Sequence, residues 1–130
     1  MYVATRPSGN PVRPVAEAWI KAFQAKDLNR MSALFAVNAV WEDGATGESF
    51  RDGPMAETQG WQNPLGTMSV TQARLLGLGN KVAIVGWTMF GPTPGHPAPV
   101  NMPGISVLHV KDGRITRETV FYNTTAAYGR

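Results

Sequence analysis

The stretch Trp19–Asp43, WIKAFQAKDLNRMSALFAVNAVWED, changes its hydrophobic period partway along, and that change decides the fold class. At its start, apolar side chains recur at Val15, Trp19 and Phe23, with Ala16 and Ile20 beside them. This is the i, i+4, i+8 line of an amphipathic helix, which the spacing predicts from Val12 to Ala25. Asp27 offers a capping carboxylate to a second, short helix in which Leu28, Met31, Leu34 and Phe35 keep helical spacing. From Ala39 the period falls to two. Ala39, Trp41 and Asp43 alternate with Val40 and Glu42, so a strand is expected with Trp41 and Asp43 on one face.

Outward from this stretch, Asp52-Gly53-Pro54 reads as the start of a third helix and Asn63-Pro64 as its end, because proline suits a first turn and disfavours helix before it. That helix carries Met55 and Trp61. The remainder is β-rich: a strand near Met68–Leu76, a turn at Gly79-Asn80-Lys81, and a strand through VAIVGWTMF. ISVLHVK and RITRETVFY follow, joined by Asp112-Gly113, a hairpin signal because glycine accepts positive φ. Between Gly91 and Gly104, GPTPGHPAPVNMPG is too rich in proline and glycine for a central strand and is expected to be a loop or an irregular strand edge. Three helices followed by a mostly antiparallel sheet indicate an α+β fold, a curved sheet over helices that could enclose a pocket. Residues 1–11 are expected to be a flexible arm and residues 12–130 a single domain.

Composition narrows the function classes. The 130 residues contain no cysteine, which removes disulfides, thiolate nucleophiles and cysteine-built metal sites. MYVATRPSGNP lacks the apolar run of a secretory signal, and no stretch reaches the roughly twenty apolar residues of a membrane span. A cytoplasmic protein without membrane contact is the expectation. The net charge of +3 comes from scattered residues, among them Lys21, Lys26, Arg30, Arg51, Arg74, Lys81, Lys111, Arg114 and Arg117, with no basic stripe to suggest a nucleic-acid partner.

The only histidines, His96 and His109, lack ligand spacing, and neither a phosphate-cradling glycine loop nor a GxSxG elbow is present, so neither metal nor cofactor is expected. Asp43 is the first candidate for chemistry. On the face of Trp41 it would lose solvent, and desolvation disfavours the charged form, raising its pKa toward the range of a general base. The same Asp-Gly pair can instead simply open a turn, with Asp43 bonding the backbone two residues on. Glu42 faces the other way with Val40 and is expected to be solvated. On the last strand, Thr116, Glu118, Val120 and Tyr122 alternate with Arg117, Thr119, Phe121 and Asn123. Glu118 is either a second buried acid or an outward acid paired across the sheet with a basic residue. Trp19, Trp41, Trp61 and Trp87, with Met89 and Met102, suit a pocket for an apolar, ring-containing ligand.

In order and spacing, the Trp19–Asp43 stretch and the closing KDGRITRETVFY resemble the SnoaL-like and ketosteroid isomerase-like branch of the nuclear transport factor 2-like superfamily. An aromatic on the first helix, a helix end rich in Phe and Ala, a strand ending in an acidic pair and a DG hairpin before a late aromatic pair follow that pattern. The resemblance implies a cone-shaped, curved, mainly antiparallel sheet wrapped over three helices, an apolar pocket, and a homodimer formed through the sheet. It places Asp43 at the position of the isomerases' proton-shuttling aspartate. Trp19 stands where those enzymes carry a tyrosine, and Ser106 where they carry a protonated aspartate, so the oxyanion site is altered. Limonene-type epoxide hydrolases use an Asp-Arg-Asp set, for which an acid at Val120 is missing. SnoaL-type cyclases use a late-strand acid, near which Glu118 falls. The implied activity is cofactor-independent proton transfer on an apolar carbonyl substrate, isomerase-like or cyclase-like, with Asp43, Trp19, Ser106 and Glu118 as catalytic candidates. Phe23, Trp41, Trp61, Trp87, Met89, Met102, Leu108, Val120 and Tyr122 would form the walls. The alternative is a non-catalytic ligand-binding or dimerisation module on the same fold.

Overall fold

A computed structural model of the chain describes residues 9–62, 68–93 and 96–123. Its elements run α1 (Arg13–Gln24), α2 (Leu28–Ser32), β1 (Phe35–Asp43), β2 (Ser49–Phe50), α3 (Pro54–Gln62), β3 (Ser69–Leu78), β4 (Val82–Thr93), β5 (His96–Lys111) and β6 (Arg114–Tyr122). The strands form one open six-stranded sheet in the order β2-β1-β6-β5-β4-β3. Every neighbouring pair is antiparallel except β1 and β6, which run parallel. The expected α+β architecture, three helices against a mainly antiparallel sheet, is therefore present. No helix among the described residues is long and apolar enough to cross a membrane.

The helical line of α1 buries Val15, Ala16, Trp19 and Phe23 as its spacing requires. Asp27 accepts a hydrogen bond from the backbone N–H of Arg30 at 3.0 Å and starts α2. That helix ends sooner than its apolar spacing suggests. Leu34 and Phe35 leave it because they are claimed by the sheet: the Leu34 carbonyl accepts from Ile115 N–H at 2.8 Å, and Phe35 pairs with Ile115. The strand expected to begin at Ala39 thus begins at Phe35, with an irregularity before Val40 that leaves Val37 exposed. Long-range pairing overrides local helical propensity here.

A second correction concerns GPTPGHPAPVNMPG. β4 continues to Thr93 and β5 begins at His96, so most of this segment is strand. The pairing explains how proline is tolerated. β5 meets β6 only from Gly104 onward, whereas Met102, Pro103 and the preceding residues pair with β4 alone. Pro103 therefore lies where β5 has an open side, and Pro97 and Pro99 fall within the irregularity between Val100 and His96, where no register pairing requires their missing N–H groups. Asp112 and Gly113 take φ of 52° and 78°, the left-handed pair that a tight hairpin needs. The expected helix end at Asn63-Pro64 lies outside the described residues.

Two glycines set how closely the layers meet. A side chain at Gly60 of α3 would collide with the Trp41 indole, so the helix can sit directly on that ring. A side chain at Gly104 would strike the Trp87 ring, which instead lies across β5. The core between helices and sheet is consequently aromatic. Trp19 stacks on Phe23 at 4.7 Å between ring centroids, and Trp61 lies 4.8 Å from Phe23, 5.6 Å from Trp87 and 5.9 Å from Trp41.

Candidate functional site

The inner face of the sheet carries two groups of acids. Asp43 ends β1 and is 3% exposed. Its Oδ1 accepts hydrogen bonds from the backbone N–H groups of Ala45 and Thr46 at 2.9 and 3.0 Å, and its Oδ2 accepts one from the Tyr122 hydroxyl. The turn reading and the buried-acid reading of this residue therefore coexist, one on each oxygen.

The second group lies deeper. In the parallel pairing of β1 with β6, Glu118 stands opposite Trp41 and Val120 opposite Asp43, so Glu118 is two residues, about 7 Å, farther along the sheet from Asp43. Glu118 is fully buried and faces inward, as do Val120 and Tyr122. A shift in the β5–β6 register near His109 changes the parity, so Ile115 is buried whereas Thr116 is only half-buried. Facing Glu118 from α3 is Glu57, also fully buried.

Hydrogen-bond direction limits where a proton can sit in this pair. An indole N–H can only donate. Trp19 Nε1 donates to Glu57 Oε2 at 3.0 Å, and Trp61 Nε1 donates to Glu57 Oε1. Trp87 Nε1 donates to Ser106 Oγ at 3.0 Å, so the Ser106 hydroxyl turns its own hydrogen to Glu118 Oε2 at 3.2 Å. Among the described residues, none donates a hydrogen bond to Glu118 Oε1. A proton on that oxygen relieves it, because a carboxylic acid can donate to the neighbouring Glu57 carboxylate while a second carboxylate cannot. Burial pushes the Glu57 carboxyl up to about 7, partly offset by its hydrogen bonds from Glu118 and the two indoles. Burial, then the charge of Glu57, hold Glu118 well above the usual carboxylate range. Both carboxyls of the pair are thus shifted toward the protonated form, each mainly by burial.

Each sequence candidate has a definite place. Trp19 and Glu118 converge on Glu57, Ser106 bonds Glu118, and Asp43 pairs with Tyr122. The hydrogens of Trp19 and Ser106 are already engaged by carboxylates. Phe23, Trp41, Trp61, Trp87, Met89, Met102, Leu108, Val120 and Tyr122 are all buried in the same core. The Trp41 N–H is buried without a hydrogen-bond partner among the described residues. Glu42 departs from expectation. It is not simply solvated, because the β1–β6 register sets it opposite Thr119 and beside Arg117, which donates to it at 2.6 and 3.2 Å and lowers its pKa. Glu42, not Glu118, is the outward acid paired across strands.

Glu57 escaped the sequence reading. It stands four residues before Trp61 on α3, so one helix face must hold both, and that i, i+4 relation to a buried aromatic was the available signal. Met55 on the same helix is 58% exposed and lends the helix no apolar stripe to advertise that face. Among the described residues, no three His, Asp or Glu side chains gather as a metal site requires.

Comparison with known proteins agrees with this architecture. A candidate polyketide cyclase from Xanthomonas campestris superposes with a TM-score of 0.71 at 21% identity, over 88% of this chain and 92% of that one. A protein of ketosteroid isomerase-like fold from Catenulispora acidiphila, solved in complex with trimethylamine, gives 0.65 at 19% identity, over 87% and 88%. An epoxide hydrolase of M. tuberculosis, described as LEH-like, gives 0.67 at 19% identity, over 95% and 90%. At these identities the likeness is one of fold. No curated protein matches the sequence. The SnoaL-like domain profile matches residues 16–118, nearly all of the helices and sheet just described, and the chain belongs to the SnoaL-like domain family.

Proposed function

We propose that the chain is a cofactor-independent enzyme that moves a proton on a small, apolar, carbonyl-bearing molecule, as an isomerase or a cyclase. The observation that carries this reading is the bare Oε1 of Glu118 in a fully buried carboxyl pair. A neutral carboxylic acid held in a water-excluded site is a strong donor toward an oxygen that gains charge during reaction. Glu118 would turn its O–H from Glu57 to the carbonyl oxygen as the enolate forms, the charge of Glu57 would keep the proton on Glu118, and Asp43 would take the α-proton. Tyr122 would orient Asp43. The enolate then regains a proton at another carbon, or attacks a second carbonyl, and the proton returns to the product. The SnoaL-like membership and the neighbours named as a candidate cyclase and a ketosteroid isomerase-like protein agree with that class of chemistry. A homodimer through the outer sheet face belongs to the same proposal, since Leu76, Ile84 and Phe90 are exposed there.

A second reading, a non-catalytic binding module, is favoured by the packing of five aromatic rings on one another where a pocket would lie. One experiment separates the two: NMR detection of deuterium uptake at the α-carbon of β,γ-unsaturated cyclic ketones in D2O. The enzyme reading expects uptake above buffer, reduced about 100-fold or more by Asp43→Asn and to a similar degree by Glu118→Gln. Saturable quenching of tryptophan fluorescence by the same ketones with no uptake would establish the binding module instead.

A further inference from the structure

At the end of the sheet opposite Asp43, the β3–β4 turn, the β5–β6 hairpin and the start of α1 enclose a cleft of about 550 Å³, within the usual range of small-molecule sites. Lys81 and Lys111 line it together with Asn80 and His109, while Val12 and Val110 form an apolar floor; Asp112 is the one acidic side chain in the lining. The lining thus carries two lysines and one aspartate, and among the described residues neither lysine takes part in an ion pair.

The walls are tied to one another. Val110 N–H donates to the Lys81 carbonyl at 2.8 Å, joining hairpin to turn. The Asn10 amide donates to the Gly79 carbonyl at 3.0 Å, while its oxygen accepts from the N–H groups of Val12 and Arg13 at 2.8 and 3.0 Å. One side chain therefore caps α1 and latches it to the turn that carries Lys81. The positive end of the helix dipole adds to the field of the lysines.

We infer that this cleft binds an oxyanion, a carboxylate or a phosphate, carried on a short apolar body. The lysines and Asn80 donate to the oxyanion, and Val12 and Val110 cover the apolar part. The cleft shares no residue with the Asp43 and Glu118 groups, and the inference stands apart from the proposed reaction.

The test is a ¹H–¹⁵N NMR titration of the full chain at fixed ionic strength, with inorganic phosphate in one arm and hexanoate in the other. The expected result is saturable shifts at Asn80, Lys81 and His109–Gly113, with affinity at least tenfold weaker in the Lys81→Gln/Lys111→Gln variant, whose remaining spectrum stays unchanged. Tighter binding of hexanoate identifies a carboxylate on an apolar body, and binding of phosphate alone identifies the phosphate source. Absence of saturable shifts in both arms, or equal shifts in the double variant, would overturn the inference.

Discussion

Asp43 and Glu118 occupy the same inner face of one sheet, two residues apart in register, yet their surroundings make opposite use of a carboxyl group. Asp43 is answered by its own neighbourhood: two backbone N–H groups from the turn that follows it and one hydroxyl from the adjacent strand. All three are donors, and the Asp43 oxygens accept from each. Glu118 is met by the Ser106 hydroxyl, the edge of the Trp19 indole and a second carboxyl, and burial together with the charge of that carboxyl raises its pKa well above the usual carboxylate range. The two carboxyl groups, about 7 Å apart along the sheet, are the ones to which the proposed proton transfer gives separate roles.

The comparison can be broken in several places. Trp61 is the largest lever, because it both fills the aromatic core and donates to Glu57. Trp61→Ala should cost about 3–5 kcal/mol in chemical denaturation and, by removing one of two indole donors, raise the proton affinity of the carboxyl pair further. Glu57→Ala leaves the buried Trp19 and Trp61 N–H groups without an acceptor, and a loss of about 1–3 kcal/mol is expected, much of it recovered in Glu57→Gln, whose amide oxygen still accepts. Tyr122→Phe removes one donor from Asp43 and should cost about 1 kcal/mol while leaving the carboxyl pair untouched.

pH sharpens the contrast. Glu57 and Glu118 both bind their proton more tightly folded than unfolded, where a glutamate titrates near about 4.3. The folded state then holds more protons than the unfolded state above that pH, so stability falls as pH rises. The contribution is complete below the unfolded pKa and is lost as pH climbs toward 7 and above. Melting temperatures measured from pH 5 to 8 should decline, and Glu118→Gln should flatten the slope. The smallest effect belongs to the surface: Glu42→Gln, which weakens its contact with Arg117, should change stability by under about 1 kcal/mol, less still at high salt.

The same contrast explains what could be read from the chain beforehand. α1, the Asp27 cap, the Asp112-Gly113 hairpin and the inward face of Asp43 all depend on residues within one or two turns of each other, and the sequence pattern carries them. Asp43 was legible because its turn partners are Ala45 and Thr46. Glu57 was not, because what sets its surroundings is Trp19, 38 residues away in the chain, together with Glu118 on the last strand. The early start of β1 and the strand character of the proline-rich segment were hidden for the same reason. Phe35 is extended because Ile115 claims it, and Pro103 is tolerated because β6 has already ended at Tyr122.

The proton on Glu118 is the claim on which the rest depends. In protein labelled with ¹³C at glutamate side chains, with the Glu118 carboxyl resonance assigned through Glu118→Gln, a pH titration reads its state directly. A Glu118 carboxyl that remains protonated at pH 7, and that titrates at lower pH in Glu57→Gln once the neighbouring charge is gone, is the result expected. A Glu118 carboxyl that titrates near the ordinary value of about 4.3 and ignores the state of Glu57 would contradict the account.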